Sequence, residues 1–333
     1  MRRNGVAEFN YPLLIGGLIT AAFILLAIIG PFLTDQDPMA DNRTMRIDGE
    51  WVTAPFRPGE IEGFPLGSDE IGRDILTRIL WGIRPTLMVA LVVVAVRMGG
   101  GLLLGLTAGW YGGRFERFVE GFIGAALAIP ILVFAIAAIT YIGLERGLMA
   151  FVVALSITGW AETANFVKDR TRAIMQAPYI EGAHAVGQRP NRILTRYVLP
   201  QLWPVLPAMV AFELAAVVLL IAELGFLGIF IGGGVQFDVP DPLSPGVILI
   251  RTSGQPELGQ LLSDFWAKII QTPWVPFLVG FTVFLQIFGF NMLGEGLRRY
   301  LDVTRPSTRL SLARIFSGNK PEPVYGEGLG VHT

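Results

Sequence analysis

Long apolar runs separated by short charged stretches set the pattern of the chain. No charge falls between Glu8 and Asp35, between Glu120 and Glu145, or between Lys268 and Glu295. An α-helix needs roughly 20 apolar residues to cross ~30 Å of hydrocarbon, so each gap predicts a membrane span. Three further spans carry isolated charges. Residues 85–113 hold only Arg97, 147–167 only Glu162, and 197–234 only Glu213 and Glu223. Six spans put both termini on one side. The first run, 11–33, exceeds the about 7–15 residues of a secretory signal core and ends without a clear small-x-small cleavage site. It reads as an uncleaved span.

Breakers and polar stretches predict the remaining elements. Gly101, Gly105 and Gly109 recur every four residues on one face of the second span, where another helix can approach closely. Pro130 should kink the third span. In the segment 34–84, "RIDGEWVTAPF" predicts a β-hairpin around Asp48-Gly49. "GSDEIGRDILTRILWG" predicts an amphipathic interfacial helix capped by Ser68 or Asp69, with Ile71, Ile75 and Ile79 on one face, placed before the second span. Residues 232–268 contain a triple glycine and four prolines and predict an ordered but irregular lobe.

Composition agrees with the spans. The chain is 52% hydrophobic and 16% charged, with 40 Gly among 333 residues, against about 25% charge in a soluble domain. This is an integral membrane protein. If the N-terminus is inside, the segments 1–10, 114–117, 168–196 and 297–333 hold most of the 26 basic residues. The outer segments would be 34–84, 144–146 and 235–268, so the bias predicts cytoplasmic termini. Cysteine is absent, and His184 and His332 stand far apart, which argues against disulfides, thiolate metal sites and a histidine centre. A net charge of −1 without a basic patch argues against nucleic acid. The clustered His, Asp or Cys that a membrane-embedded enzyme would need do not occur in the spans.

One polar stretch, "YIEGAHAVGQRPNRILTRYVLP" (179–200), interrupts the apolar runs on the predicted inner side. Glu181–Val186 can form one or two helical turns ended by a left-handed Gly187. Pro190 suits the first turn of a second short helix, and Pro200 would lead into the fifth span. The product is a helix–turn–helix elbow. Gly182, Ala183 and Ala185 offer it a small-residue docking face, and Arg189, Arg192 and Arg196 stay solvated or meet a partner's carboxylates. The plainer alternative is a structured loop whose arginines only enforce topology.

The spacing Glu181-Gly182-Ala183, Gly187, Leu199-Pro200 resembles the "EAA…G…I-LP" loop of ABC importer permeases, with Gly182 where Ala is usual and Tyr197 where Ile is usual. "FPLGSDEIGRDILTRILWG" (64–82), which contains Gly67, Asp69, Gly72, Arg73 and Asp74, resembles the outer motif of dipeptide, oligopeptide and nickel permeases. "GPFLTDQDP" (30–38), "GLTAGWYGG" (105–113), "ELGFLG" (223–228) and "FNMLGEGLRRYLD" (290–302) follow the same family in order. The chain is most similar to its "C"-type permease. The family's short stretch between "FLG" and "PEWG" is here the long insertion 229–255, which either contacts a binding protein or ornaments the packing.

The resemblance implies a type I ABC importer permease fold: an all-α polytopic protein of six transmembrane helices with irregular or β-hairpin extracytoplasmic lobes. It implies a cytoplasmic N-terminus and first helix (1–33), an outer segment (34–84), a permease core (85–297) with the coupling loop 168–200 and the outer insertion 232–268, and a cytoplasmic tail (298–333). It further implies a prokaryotic inner-membrane location amid lipid. The partners would be a second homologous permease subunit, two cytoplasmic ABC ATPases and an extracytoplasmic solute-binding protein. Glu181, Gly182, Ala183, His184, Gly187, Arg192, Leu199 and Pro200 would seat in an ATPase groove. ATP and Mg belong to those partners, since this chain carries no GxxxxGK[ST] phosphate loop, and no cofactor is expected on it.

Charges inside spans point to function, because each is costly there unless paired or hydrated. Arg97 and Glu213 fall at similar depth. They line the translocation pathway, or they form a packing salt bridge between helices. The solute expected is a dipeptide or oligopeptide, with nickel or another small solute as the alternative. A secondary transporter, which would use midplane ion ligands on broken helices and need no elbow, is the rival from another class.

Overall fold

A computed structural model describes residues 9–301 except 48, 232–234, 241–246 and 253–255. The basic N-terminal residues, the tail beyond Leu301, His332, Asp48 and the triple glycine lie outside the described residues. Among those described, five helices are long and apolar enough to cross a membrane, or up to six if one bent pair counts as a single span. The chain is thus an all-α polytopic membrane protein with two small hairpins.

Helix α1 (Tyr11–Ile29) starts at Asn10, whose side chain accepts from the Leu13 amide and donates to Gly296 O at 2.8 Å. That second bond ties α1 to the last helix, α13 (Trp274–Leu301). The two pack through Gly16, Gly289 and Gly296, where an added Cβ would meet the facing helix. Strands β1 (Thr44–Ile47) and β2 (Glu50–Thr53) then form the expected antiparallel hairpin, with Ile47 opposite Glu50.

The second helix corrects the sequence reading. Among the described residues no separate interfacial helix precedes the second span. Helix α2 runs unbroken from Ile75 to Tyr111 through Pro85, and Asp74 caps it by accepting from the Thr77 amide. Ser68, Asp69, Glu70 and Ile71 precede the helix, because Asp69 instead accepts from the Ile71 and Arg73 amides and closes a turn.

Helices α3 (Gly113–Leu127) and α4 (Ile131–Ile142) meet at an 85° bend with Pro130 at its corner. Proline cannot donate to the preceding turn, and the residue before it avoids helical geometry. Helix α5 (Leu148–Ile157) breaks at Thr158-Gly159 and resumes as α6 (Trp160–Met175). The elbow comprises α7 (Pro178–Ala185), α8 (Pro190–Ile193), a π-helical turn (Leu194–Val198) and α9 (Leu199–Leu202). Helix α10 (Leu206–Phe226) follows. The outer insertion is more regular than expected: β3 (Val235–Pro240) pairs antiparallel with β4 (Val247–Thr252) over six residues. Short helices α11 (Leu258–Leu261) and α12 (Phe265–Gln271) lead into α13. The principal core lies where α2, α5, α10 and α13 meet, around Val93, Leu155, Val218 and Val279.

Candidate functional site: the elbow, the buried ion pair and the outer latch

Helix α6 carries the elbow at its end. In α7, Ile180 and Ala183 are buried against Ile193 of α8, with Trp110 at the end of α2, Met175 and Tyr197 packed around them. Ala183 therefore faces inward, contrary to the docking face expected of it, because the two arms need a small residue where they cross. Glu181, Gly182, His184, Arg189 and Arg192 are exposed. Gly187 ends α7 at φ +75°, its amide donating to His184 O at 2.9 Å while Gln188 N donates to Ala183 O at 3.1 Å. A side chain would be strained in that left-handed conformation.

Tyr197, the departure from the family pattern, is a strut. Its ring stacks on Tyr179 at 6.2 Å, and Gln188 Nε2 donates to its hydroxyl at 3.3 Å. Leu199 is half-buried. Pro200 does not mark the start of the fifth span; it is exposed inside the helical run 190–202. Its missing N–H leaves a backbone carbonyl one turn back without its usual donor, and the π turn lies immediately before it.

The elbow is rigidly joined to the membrane core. The glycine stripe of α2 receives α6: Gly101 faces Thr163, Gly105 faces Ala164 and Val167, and Gly109 faces Lys168 and Thr171. On its other side α6 is tied to α3 by Lys168–Glu120 at 2.5 Å and Arg172–Glu116 at 3.4 Å.

Above this interface the two intramembrane charges meet. Arg97 Nη1 donates to Glu213 Oε1 at 2.8 Å, Nε to Leu155 O at 2.7 Å and Nη2 to Thr158 Oγ1 at 2.5 Å. The pair thus fastens α2 to α10 and to the α5–α6 break. Gly159 sits there at φ +75°, and a Cβ on it would strike the Arg97 guanidinium. Arg97 is 1% exposed and Glu213 11%, so Arg97 is enclosed rather than open to a channel. Sequence reasoning brought these charges to one depth but missed Thr158 and Gly159, whose signal was a Gly directly after the Ser-Ile-Thr end of an apolar run.

The outer motif forms a buried latch. Asp69 Oδ2 accepts from Arg73 Nε at 2.7 Å, and Arg78 Nη1 stands 3.6 Å away. Arg78 Nη2 also donates to Gln260 Oε1 at 2.7 Å, Trp274 Nε1 to Ser68 O at 3.1 Å, and Thr272 Oγ1 to Glu70 Oε1 at 3.1 Å. Gly67 and Gly72 turn the chain at positive φ on either side of Asp69, and Asp74 caps α2. The segment 34–84 is thereby locked to the segment 256–274.

Burial works against the Asp69 anion, yet Arg73 and Arg78 outweigh it and hold its carboxyl below the usual range. Burial pushes the Glu70 carboxyl up, with the positive charge of Lys268 opposing, and the same burial lowers the Lys268 ammonium. Glu257 is held by the amides of Ile231 at 3.3 Å and Gly259 at 3.0 Å, and burial raises it to about 7. Sequence reasoning found the motif but not Arg78, Gln260, Thr272 or Trp274, which lie some 180 to 206 residues from their partners. Among the described residues no group of three or more His, Cys, Asp or Glu could hold a metal ion.

The family described as "Binding-protein-dependent transport system inner membrane component" matches residues 101–244, which span the glycine stripe, Glu213 and the elbow. The dipeptide transport system permease protein DppC of Alkalihalophilus pseudofirmus is 30% identical over 87% of this chain and 84% of its own length. The glutathione transport system permease protein GsiD of Pectobacterium atrosepticum is 32% identical over 71% of each chain. Among solved structures, an inward-facing form of the MetNI methionine ABC transporter is 19% identical over 67% of this chain and 95% of that chain, with a TM-score of 0.49. The chain belongs to the family of inner-membrane permease components of binding-protein-dependent transport systems, as a non-catalytic subunit of an ABC importer.

Proposed function

We propose that this permease imports peptides. With a second permease subunit it encloses the pathway, two cytoplasmic ATPases bind beneath, and an extracytoplasmic binding protein delivers the solute. Both termini face the cytoplasm in this reading, supported by the Lys/Arg bias of the inner segments. Relatives named for dipeptides and for glutathione support a short peptide as cargo.

The observation that carries the coupling role is the continuity of the elbow with α6. Exposed Glu181, Gly182, His184 and Arg192 project from a lever that is seated along the α2 glycine stripe and ends at the Thr158-Gly159 break. Closure of the ATPases would push the elbow, and the close-packed α6 would carry that displacement to the middle of the membrane. The Arg97–Glu213 pair would hold the break in register, while the latch would keep the outer lobe fixed as a platform for the binding protein.

The test is copurification. Tagged protein should bring down its ATPase, and Glu181→Arg should abolish the association while leaving the permease pair intact. Unchanged capture in that variant would remove the elbow from the coupling path.

A further inference from the structure

The two broken helices face each other. The corner between α3 and α4 and the break between α5 and α6 border an open groove of about 420 Å³, whose lining includes Phe122, Pro130, Phe134, Thr158, Trp160 and Glu162. Pockets that hold small molecules run from about 300 to 1,000 Å³ and pair apolar walls with a few polar groups. Irregular backbone at membrane depth persists only where protein covers it or where it borders a watery cavity. Glu162 lies five residues before the end of the charge-poor stretch 147–167, which at 1.5 Å per residue puts it about 8 Å from that end, in the half of the span that leads to the elbow.

Charge decides what fits. Arg97 spends its charge on Glu213. Glu162 lies close enough to act on Arg97 through space but makes no hydrogen bond or ion pair of its own among the described residues. The local sum of Arg97, Glu213 and Glu162 is one negative charge, and Glu162 presents it, exposed, to the groove. Around Glu162 the walls are aromatic and aliphatic, with the Phe122 and Trp160 rings stacked at 5.1 Å. A metal ion would need several oxygen or nitrogen ligands, and the lining supplies Glu162 and the Thr158 hydroxyl. An ammonium needs one carboxylate and accepts an aromatic wall.

We propose that this groove is a transit site for the amino-terminal end of the peptide: Glu162 receives the free α-ammonium, and the Phe122–Trp160 wall takes the first side chain. This rests on the peptide-importer reading above and adds a residue and a chemical preference to it. A second hollow of about 510 Å³ shares Leu127 and Glu162 and continues down α6 past Asn165, Asp169 and Arg170 toward the elbow. The site therefore opens on the side toward which an imported peptide must leave.

The test uses the complete transporter, with both permeases, the ATPases and the loaded binding protein, in proteoliposomes. A photoreactive amino acid at the exposed groove residue Ala125 reports occupancy during turnover, with radiolabelled Ala-Phe and its N-acetyl form as probes. The expected result is an adduct with Ala-Phe that falls at least about tenfold in Glu162→Gln, as loss of one charge-assisted contact requires, and recovers in Glu162→Asp. N-acetyl-Ala-Phe should give a weak adduct that Glu162→Gln leaves unchanged. Stimulation of the ATPase by the loaded binding protein should persist in every variant, which excludes misassembly. Equal Ala-Phe adducts in wild type and Glu162→Gln, or an adduct only with the second permease, overturn the site while ATP-driven uptake still supports the importer reading. Absence of ATP-driven dipeptide uptake by the wild type overturns that reading and the site with it.

Discussion

Replacing Arg97 by methionine keeps a long unbranched side chain and removes every donor that holds the α5–α6 break to α2 and α10. Leu155 O, Thr158 Oγ1 and Glu213 Oε1 each lose the Arg97 contact, although Thr158 Oγ1 still donates to Leu155 O. Deleting one member of a buried ion pair costs about 3–5 kcal/mol, chiefly because the other charge stays buried. Glu213 retains 11% exposure, so water relieves some of that penalty and the expected loss is about 3 kcal/mol. Glu213→Gln keeps an acceptor for the guanidinium but leaves the more deeply buried Arg97 charge without its counter-ion, so its loss should also be about 3 kcal/mol. In the double variant no charge is stranded, so its loss should be about 2 kcal/mol rather than the sum, a coupling of roughly 4 kcal/mol. SDS titration of the purified chain in mixed micelles, followed by tryptophan fluorescence, measures all three. Losses that add within about 0.5 kcal/mol would refute the pairing, and wild-type uptake by both single variants would remove the pair from transport.

Three further outcomes follow from the same geometry. Gly105→Ala should cost about 1–3 kcal/mol and slow uptake, because the new methyl meets the α6 backbone and Val167 Cβ, whereas Gly100→Ala, with open space around it, should be silent. Gly182→Ala meets nothing within 4 Å and should stabilise α7 by up to about 1 kcal/mol, while Gly187→Ala at φ +75° should cost about 1–2 kcal/mol, both read by thermal unfolding. Burial raises Glu257 to about 7 from the ordinary 4.5, so the folded state holds this proton more tightly than the unfolded one. Its contribution to stability should be full below pH 4.5, fall by up to about 3 kcal/mol as pH rises to 7 and stay flat above. Subtracting the Glu257→Gln profile should isolate that slope, and a flat difference would contradict the raised value.

What could be read from the sequence was whatever local chemistry decides. Charge-free runs marked the spans, Pro130 marked the bend, and the Gly187 and Pro190 punctuation marked the elbow. The misses share a cause in pairings that no single residue's propensity reveals. Asp69 looks like a helix cap, but Arg73 and Arg78 claim its carboxylate, so Asp74 caps α2 instead. Pro85 reads as a boundary, yet α2 continues through it. The prolines of the outer insertion suggested irregularity, while the runs Val235–Pro240 and Val247–Thr252 find each other and pair. Ala183 belongs to a motif assumed to face outward, and only the crossing of α7 and α8 turns it inward.

The chain contains no cysteine, so a single His184→Cys reports the elbow alone. The decisive measurement is labelling of that thiol by a membrane-impermeant maleimide, in intact cells and in inside-out vesicles with and without the ATPase subunits. If the elbow couples to a cytoplasmic motor, the thiol is silent in cells, reacts in stripped vesicles and is shielded when the ATPases rebind. Reaction from outside intact cells, or labelling that the ATPases leave unchanged, would contradict it.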